Sequence, residues 1–152
     1  MAWTEDLLTG LAEHLAAHNI ASWYPTGAFP ASPPHPPVAL RSLPNTPDRA
    51  YSLDAYVEVD TEDAGLADVT VAVQLQSRGT RDPSDVDDVA DAAWEVLHGA
   101  RMLTLGSGPS AVHTSLIYRR STARLGVDGH GRYERSCNYY VLASRPNVYR
   151  PD

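Results

Sequence analysis

From Val69 to Gln76 apolar and polar positions alternate: Val69, Val71, Val73 and Leu75 on one side, Thr70, Ala72, Gln74 and Gln76 on the other. That period of two predicts a strand with one buried face. After a tight exit at Arg78-Gly79 the period changes, and Val86, Val89, Ala90, Ala93, Val96 and Leu97 recur at helical spacing. Asp82 stands where an N-cap belongs, Pro83 at the first helical position, Asp85 near the third, and Gly99 where a left-handed terminal residue is wanted. This strand, turn and helix supply scaffold and offer no catalytic group.

The same periods run through the rest of the chain. Thr4, Glu5 and Asp6 cap and open a first helix whose Leu7, Leu8, Leu11 and Leu15 stripe ends near Asn19. Ile20 to Tyr24 reads as a short edge strand. The prolines at 25, 30, 33, 34, 36 and 37 bar both helix and central strand, so an extended proline-rich arm leaving the domain body is expected at about 25–37. Val38 to Leu43 predicts a short strand. Tyr51, Leu53, Ala55, Val57 and Val59 against Ser52, Asp54, Glu58 and Asp60 predict a longer one, with Tyr56 interrupting the polar side. A polar turn at 61–67 then pairs it with the Val69 strand as an antiparallel hairpin. Val112, Thr114, Leu116 and Tyr118 alternate with Ala111, His113 and Ser115, and Tyr133 to Ala143 is another long strand. Between these two, Arg124 to Arg132 reads as a glycine-bearing loop. The expected fold is α+β: a mostly antiparallel sheet with two helices packed on one face.

A chain of 152 residues, 43% hydrophobic, fits a single domain over 1–152. Twelve basic residues against 19 acidic give a net charge of −7, which argues against binding nucleic acid through its phosphates. The one cysteine, Cys137, leaves no internal disulfide and reads as a small buried apolar group in a reducing compartment. Neither a basic and apolar leader nor a run of membrane-spanning length is seen, so the expectation is a cytoplasmic protein with no membrane partner.

Candidate chemistry is thin. His14 and His18 lie one helical turn apart but lack a third ligand, and His35, His98, His113 and His130 are scattered. Asp85, Asp87, Asp88 and Asp91 lack the glycine and terminal glutamate of a calcium loop and read as a solvated helix face. Gly106-Ser107-Gly108 runs into Pro109 and Ser110 with no lysine, so it is a turn and not a phosphate loop. Pairing Cys137 with His113 requires both to point outward, which the alternation opposes. No catalytic residue, metal or cofactor is therefore expected. Arg78, Arg81, Arg124 and Arg132 stand at strand ends and loops, where they are placed to meet the acidic helix face within a subunit or across a boundary. One of Tyr139 and Tyr140 must point away from the core.

VQLQSRG at 73–79, DPSDVDDVAD at 82–91, LHG at 97–99, LG at 125–126, DGHGR at 128–132 and ERSCNYYV at 134–141 together resemble, in order and spacing, the tail terminator proteins of long-tailed bacteriophages. LRSLPNTPDRA at 40–50 is similar to that family's strand before a proline-bearing turn. The resemblance implies a virion protein, assembled in the host cytoplasm, that closes as a homohexameric ring on the head-proximal end of the tail tube. There it would stop tube polymerisation and join the tail to the head connector. Its partners would be its own copies, the tail tube protein and a connector or head completion protein, with phage DNA passing through the lumen without specific binding. Acidic groups such as Asp85, Asp87 and Asp88, or Glu62 and Asp63, would let DNA slide if they faced that channel. The candidate subunit-interface residues are Arg78, Gly79, Arg81, Asp85, Asp88, Arg124, Asp128, Arg132 and Tyr140. A head-side neck protein is the alternative within virion assembly, and a small metal-dependent hydrolase built on the histidines is the alternative of another class.

Overall fold

The computed structural model describes residues 2–58 and 65–151; Val59, Asp60, Glu62 and Asp63, and with them most of the expected polar turn, lie outside these. Helix α1 spans Trp3–Ala17 and buries Leu7, Leu8, Leu11 and Leu15, each worth roughly 1.5–3 kcal/mol on leaving water. It starts earlier than expected: Ala2 holds the N-cap position without a side-chain bond, so Thr4 is inside the helix and Glu5 and Asp6 complement the dipole. Asn19, at φ 58°, ends it in the left-handed region. Gly10 permits the close approach of this helix to Leu105, whose Cβ would stand 2.7 Å from any side chain placed there.

Strands β1 (Ser22–Trp23), β2 (Pro37–Leu40), β3 (Ala50–Glu58) and β4 (Asp68–Arg78) come next, followed by α2 (Asp85–Leu97). Two short strands, β5 (Ala100–Arg101) and β6 (Thr104–Leu105), precede the long pair β7 (Val112–Val127) and β8 (Tyr133–Ser144). The sheet runs in the order β1-β2-β3-β4-β8-β7-β5, with β6 paired to β7. From β3 onward it is antiparallel, as expected; β1, β2 and β3 run parallel. A parallel step usually needs a crossover of about a dozen residues or more. Here residues 41–49 make the return from β2 to β3 alone, and buried arginines from β4 and the β7–β8 turn brace it.

Both helices lie on the face carrying Tyr51, Leu53, Val71, Val73, Leu75, Cys137, Tyr139 and Val141, and one core joins them. The Tyr51 hydroxyl donates to the Val89 carbonyl at 2.5 Å, which ties β3 to α2 across that core. Burial pushes the Tyr51 phenol well above its usual value, so it stays a donor.

Four expectations are revised by local geometry. The α2 helix begins at Asp85, not at Pro83; Asp82 instead accepts the Ser84 amide and hydroxyl and closes the preceding turn. The acidic α2 face is not simply solvated: Asp85 is buried, and Asp87 pairs with both Arg124 and Arg135. The β7 strand continues to Val127, absorbing half of the expected 124–132 loop. It carries irregularities at 114/116, 119/121 and 124/126, and the first of these shifts its inward face from Leu116 and Tyr118 to Ile117. The proline-rich segment closes as a loop: Ser22 pairs with Pro37, so its two ends lie side by side on the sheet edge, and its middle walls two clefts against the body.

Candidate assembly surface

Five of the nine candidate interface residues meet at one corner, where β4 exits, α2 begins and the 128–132 turn folds under the 41–49 crossover. Arg78, though a strand-end arginine, is buried. Its guanidinium donates to the carbonyls of Pro44 and Pro47 at 2.7 Å and of Asp48 at 2.8 Å. Arg132 is buried as well, donating to the Asn45 carbonyl at 2.8 Å and to Asp128 Oδ2 at 2.8 Å. Asp128 also accepts the amides of His130 and Arg132 on Oδ1. Desolvation acts to raise its carboxyl, but these hydrogen bonds and the Arg132 charge outweigh it and bring the group down to about 2. Gly79 lies against the α2 backbone: a Cβ there would stand 2.6 Å from the Val86 nitrogen. Asp85 binds Arg49 through both oxygens and accepts the Thr80 amide at 3.0 Å.

These five are therefore committed inside the subunit. The contacts described for them are intramolecular, a juxtaposition that the sequence reading, which took them as candidates for a subunit boundary, did not contain. Arg81, Asp88 and Arg124 do reach the surface, Arg124 leaning on Asp87 at 2.9 Å. Tyr140 stands on the sheet face opposite the helices, edge-on to Tyr118 with ring centroids 5.6 Å apart, while Tyr139 fills the core.

The sequence reading named Tyr140 on that helix-free face but not the residues around it. Leu116 and Leu142 pair across β7 and β8 beside Tyr118 and Tyr140, all half-buried. Next to them runs a polar ladder in which Tyr56 donates to Asn138, Asn138 to Ser121, and Gln74 to Ser136. The signal lay in the second register of the strands, the side that alternation assigns to solvent.

Among the described residues no three metal-donor side chains gather. His14 and His18 lie with ring centroids 4.6 Å apart, but His14 Nε2 donates to the Val96 carbonyl at 2.8 Å and joins α1 to α2. Burial favours the neutral form of His14 and lowers its pKa, outweighing the Val96 bond, which acts to raise it. Among the described residues no helix is long and apolar enough to cross a membrane.

This fold occurs in virion architecture. The chain superposes on a chain from the virion of a native gene transfer agent particle with a TM-score of 0.56 at 15% identity, covering 70% of this chain and 78% of that one. No curated protein matches the sequence significantly. The family described as bacteriophage tail terminator protein matches residues 14–145, and the chain belongs to it. It is thus a structural protein of the phage tail, as the ordered motifs imply.

Proposed function

We propose that the protein closes as a homohexameric ring on the head-proximal end of the tail tube, ends tube polymerisation and presents the surface that the head-side connector or completion protein meets. Family membership supports the reading. The observation that carries it in the subunit is the helix-free sheet face, where Leu116, Tyr118, Tyr140 and Leu142 form a contiguous apolar strip beside a polar ladder. A strip of this kind suits a contact with a different face of a neighbouring copy, or with the tube, better than bulk solvent. Arg81, Asp88 and Arg124 would set the register between copies, since exposed charges contribute more to orientation than to affinity. The net charge of −7 fits a lumen through which DNA slides without specific binding. On this reading the protein acts at the neck of the virion after assembly in the host cytoplasm, and no bond-breaking step is assigned to it.

The test is negative-stain imaging of the purified protein with and without its tail tube, for the parent chain and for Tyr140→Asp. Six-fold rings capping tubes of fixed length are expected for the parent, with uncapped and overlong tubes for the variant. Co-purification with filled heads in place of tails would overturn the assignment to the tube end.

A further inference from the structure

The sheet has two open strand edges, and they differ in charge. On the outer side of β7, β6 pairs with Val112 and His113, and β5 with Leu116 and Ile117. The Gly99 amide then donates to the Ile117 carbonyl at 2.7 Å, and the Arg119 amide to His98 Nδ1 at 3.0 Å. From there β8 holds the inner side of β7 as far as Val127, but among the described residues no strand pairs with 120–127 on the outer side. All of these residues are exposed, Leu125 and Val127 among them. Soluble proteins usually protect such an edge with lysine, proline, bulges or a covering element, because its unpaired amides and carbonyls accept another strand. Residues 120–127 contain neither lysine nor proline, and between the irregularities at 119/121 and 124/126 the stretch Ser121 to Arg124 keeps regular register.

The second open edge is on β3. There β2 pairs only with Tyr51 to Leu53, and the Arg41 amide ends that ladder on the Leu53 carbonyl at 2.7 Å. Among the described residues nothing pairs with the same side of 54–58, whose other side β4 holds. Residues 119–127 carry three arginines and no acid, whereas 54–58 carry Asp54 and Glu58 and no base. Arg119 lies over Trp94 and Arg124 leans on Asp87, but exposed Arg120 makes no ion pair among the described residues. Near Asp54, Arg41 is held by Glu5. Two β7 edges brought together would oppose arginine to arginine. Setting β7 against β3 opposes arginine to acid, and a contact between two different surfaces lets copies follow one another around a ring. The directions agree as well: β3, β4, β8 and β7 are successively antiparallel, so a neighbour's β3 can join β7 antiparallel. Asp54, Gln74, Asn138 and Ser121 form one row across these strands, and the two open stretches lie to opposite sides of it. Bringing them together slides each copy about four residues, roughly 14 Å, over four strand spacings of about 4.8 Å. The resulting tilt of about 35° is of the size by which sheets close on themselves.

We propose that the outer edge of β7 at 120–127 in one copy takes the β3 edge at 54–58 of the next copy as an added antiparallel strand, the basic edge lying against the acidic one, so that the sheets of neighbouring copies join edge to edge. The inference rests on the ring reading for its setting, yet the two fail differently. Arg120→Glu with Arg124→Glu reverses one edge, and Asp54→Lys with Glu58→Lys reverses the other. Each double variant should stay folded by circular dichroism and lose at least tenfold in association between copies, read by sedimentation alone and with tail tube. An equal mixture of the two should regain the loss, because every β7 edge then meets a β3 edge of opposite charge. Either variant associating like the parent, or a mixture as weak as its components, overturns the proposal. Amide exchange on the parent chain decides it independently of how the variants fold: 120–127 and 54–58 should both slow at least tenfold on association. Protection of one stretch without the other overturns the pairing, since the edge would then be covered by something else. A parent that rings the tube with both stretches unprotected ends the pairing and leaves the ring reading standing; a parent that stays monomeric alone and with tube ends both.

Discussion

Asp85 grips Arg49 through both carboxylate oxygens, joining the first turn of α2 to the residue that immediately precedes β3. The same carboxylate accepts the Thr80 amide at 3.0 Å, so one buried acid ties the strand exit, the helix start and the crossover together. Burial acts to raise its pKa, and the hydrogen bonds from Arg49 and Thr80 together carry it below the ordinary value. A carboxyl lowered on folding stabilises the native state above its unfolded pKa of about 3.9, and the contribution fades as pH falls through the folded value. Asp85→Asn should cost about 1–2 kcal/mol near neutrality, the partly exposed Arg49 limiting the loss. Its unfolding free energy should also vary less with pH below about pH 4 than the parent's. Urea titrations from pH 2 to pH 7 would show both; a variant as stable as the parent throughout would remove Asp85 from this role.

Arg78 is the brace of the crossover. Its fork reaches three carbonyls on residues 44–48, a geometry that an ammonium on a flexible stem does not reproduce. Arg78→Lys should therefore destabilise the fold by about 2 kcal/mol. The loss should be accompanied by faster amide exchange in residues 41–49, with α1 unaffected below global unfolding. Exchange that accelerates evenly through the chain would mean that the arginine holds nothing local.

The contrast between α1 and Arg78 shows what the sequence could convey. Leu7, Leu8, Leu11 and Leu15 announce their buried face because helical period and burial are both local properties. Arg78 and Arg132 read as surface charges because the carbonyls that bury them come from residues 44–48, more than 25 positions away in the chain. Likewise the extra residue near Ser115 leaves no mark in the alternation before it, yet it turns Ile117 inward in place of Leu116. The family-bearing motifs were legible for the opposite reason. Much of DPSDVDDVAD and DGHGR builds the tight corner of the subunit, where spacing is fixed by sterics and hydrogen bonds. The apolar strip around Tyr140 was illegible, since it forms from half-buried residues on separate elements.

The 128–132 turn should titrate as a unit at unusually low pH. Asp128 holds the His130 and Arg132 amides at 2.8 and 3.0 Å, and its carboxyl lies at about 2, below the ordinary 3.9. Because the folded value is depressed, these bonds persist at neutral and mildly acidic pH and are lost as pH falls through about 2. The His130 and Arg132 amide resonances should shift together with a midpoint near there. Asp128→Asn should abolish the shared transition, and separate midpoints near 4 would show that the carboxylate does not cap the turn.

Gly79 tests whether the corner is limited by space. Its backbone φ lies outside the left-handed region, so a side chain is resisted by sterics alone. A methyl at this position would meet the Val86 nitrogen at 2.6 Å, its Cα at 2.9 Å and the Asp85 carbonyl carbon at 3.0 Å, all of them main-chain atoms held by the α2 helix. Relief requires the helix to move away from β4, which would also pull Asp85 from Thr80. Gly79→Ala should thus lower stability by about 1–3 kcal/mol, the usual range for overpacking. Gly129, with nothing within 4 Å and no positive φ, supplies the control: Gly129→Ala should stay within about 0.5 kcal/mol of the parent. Paired chemical denaturation of the two variants measures the difference, and equal stabilities would show that the strand exit and helix start are not in contact.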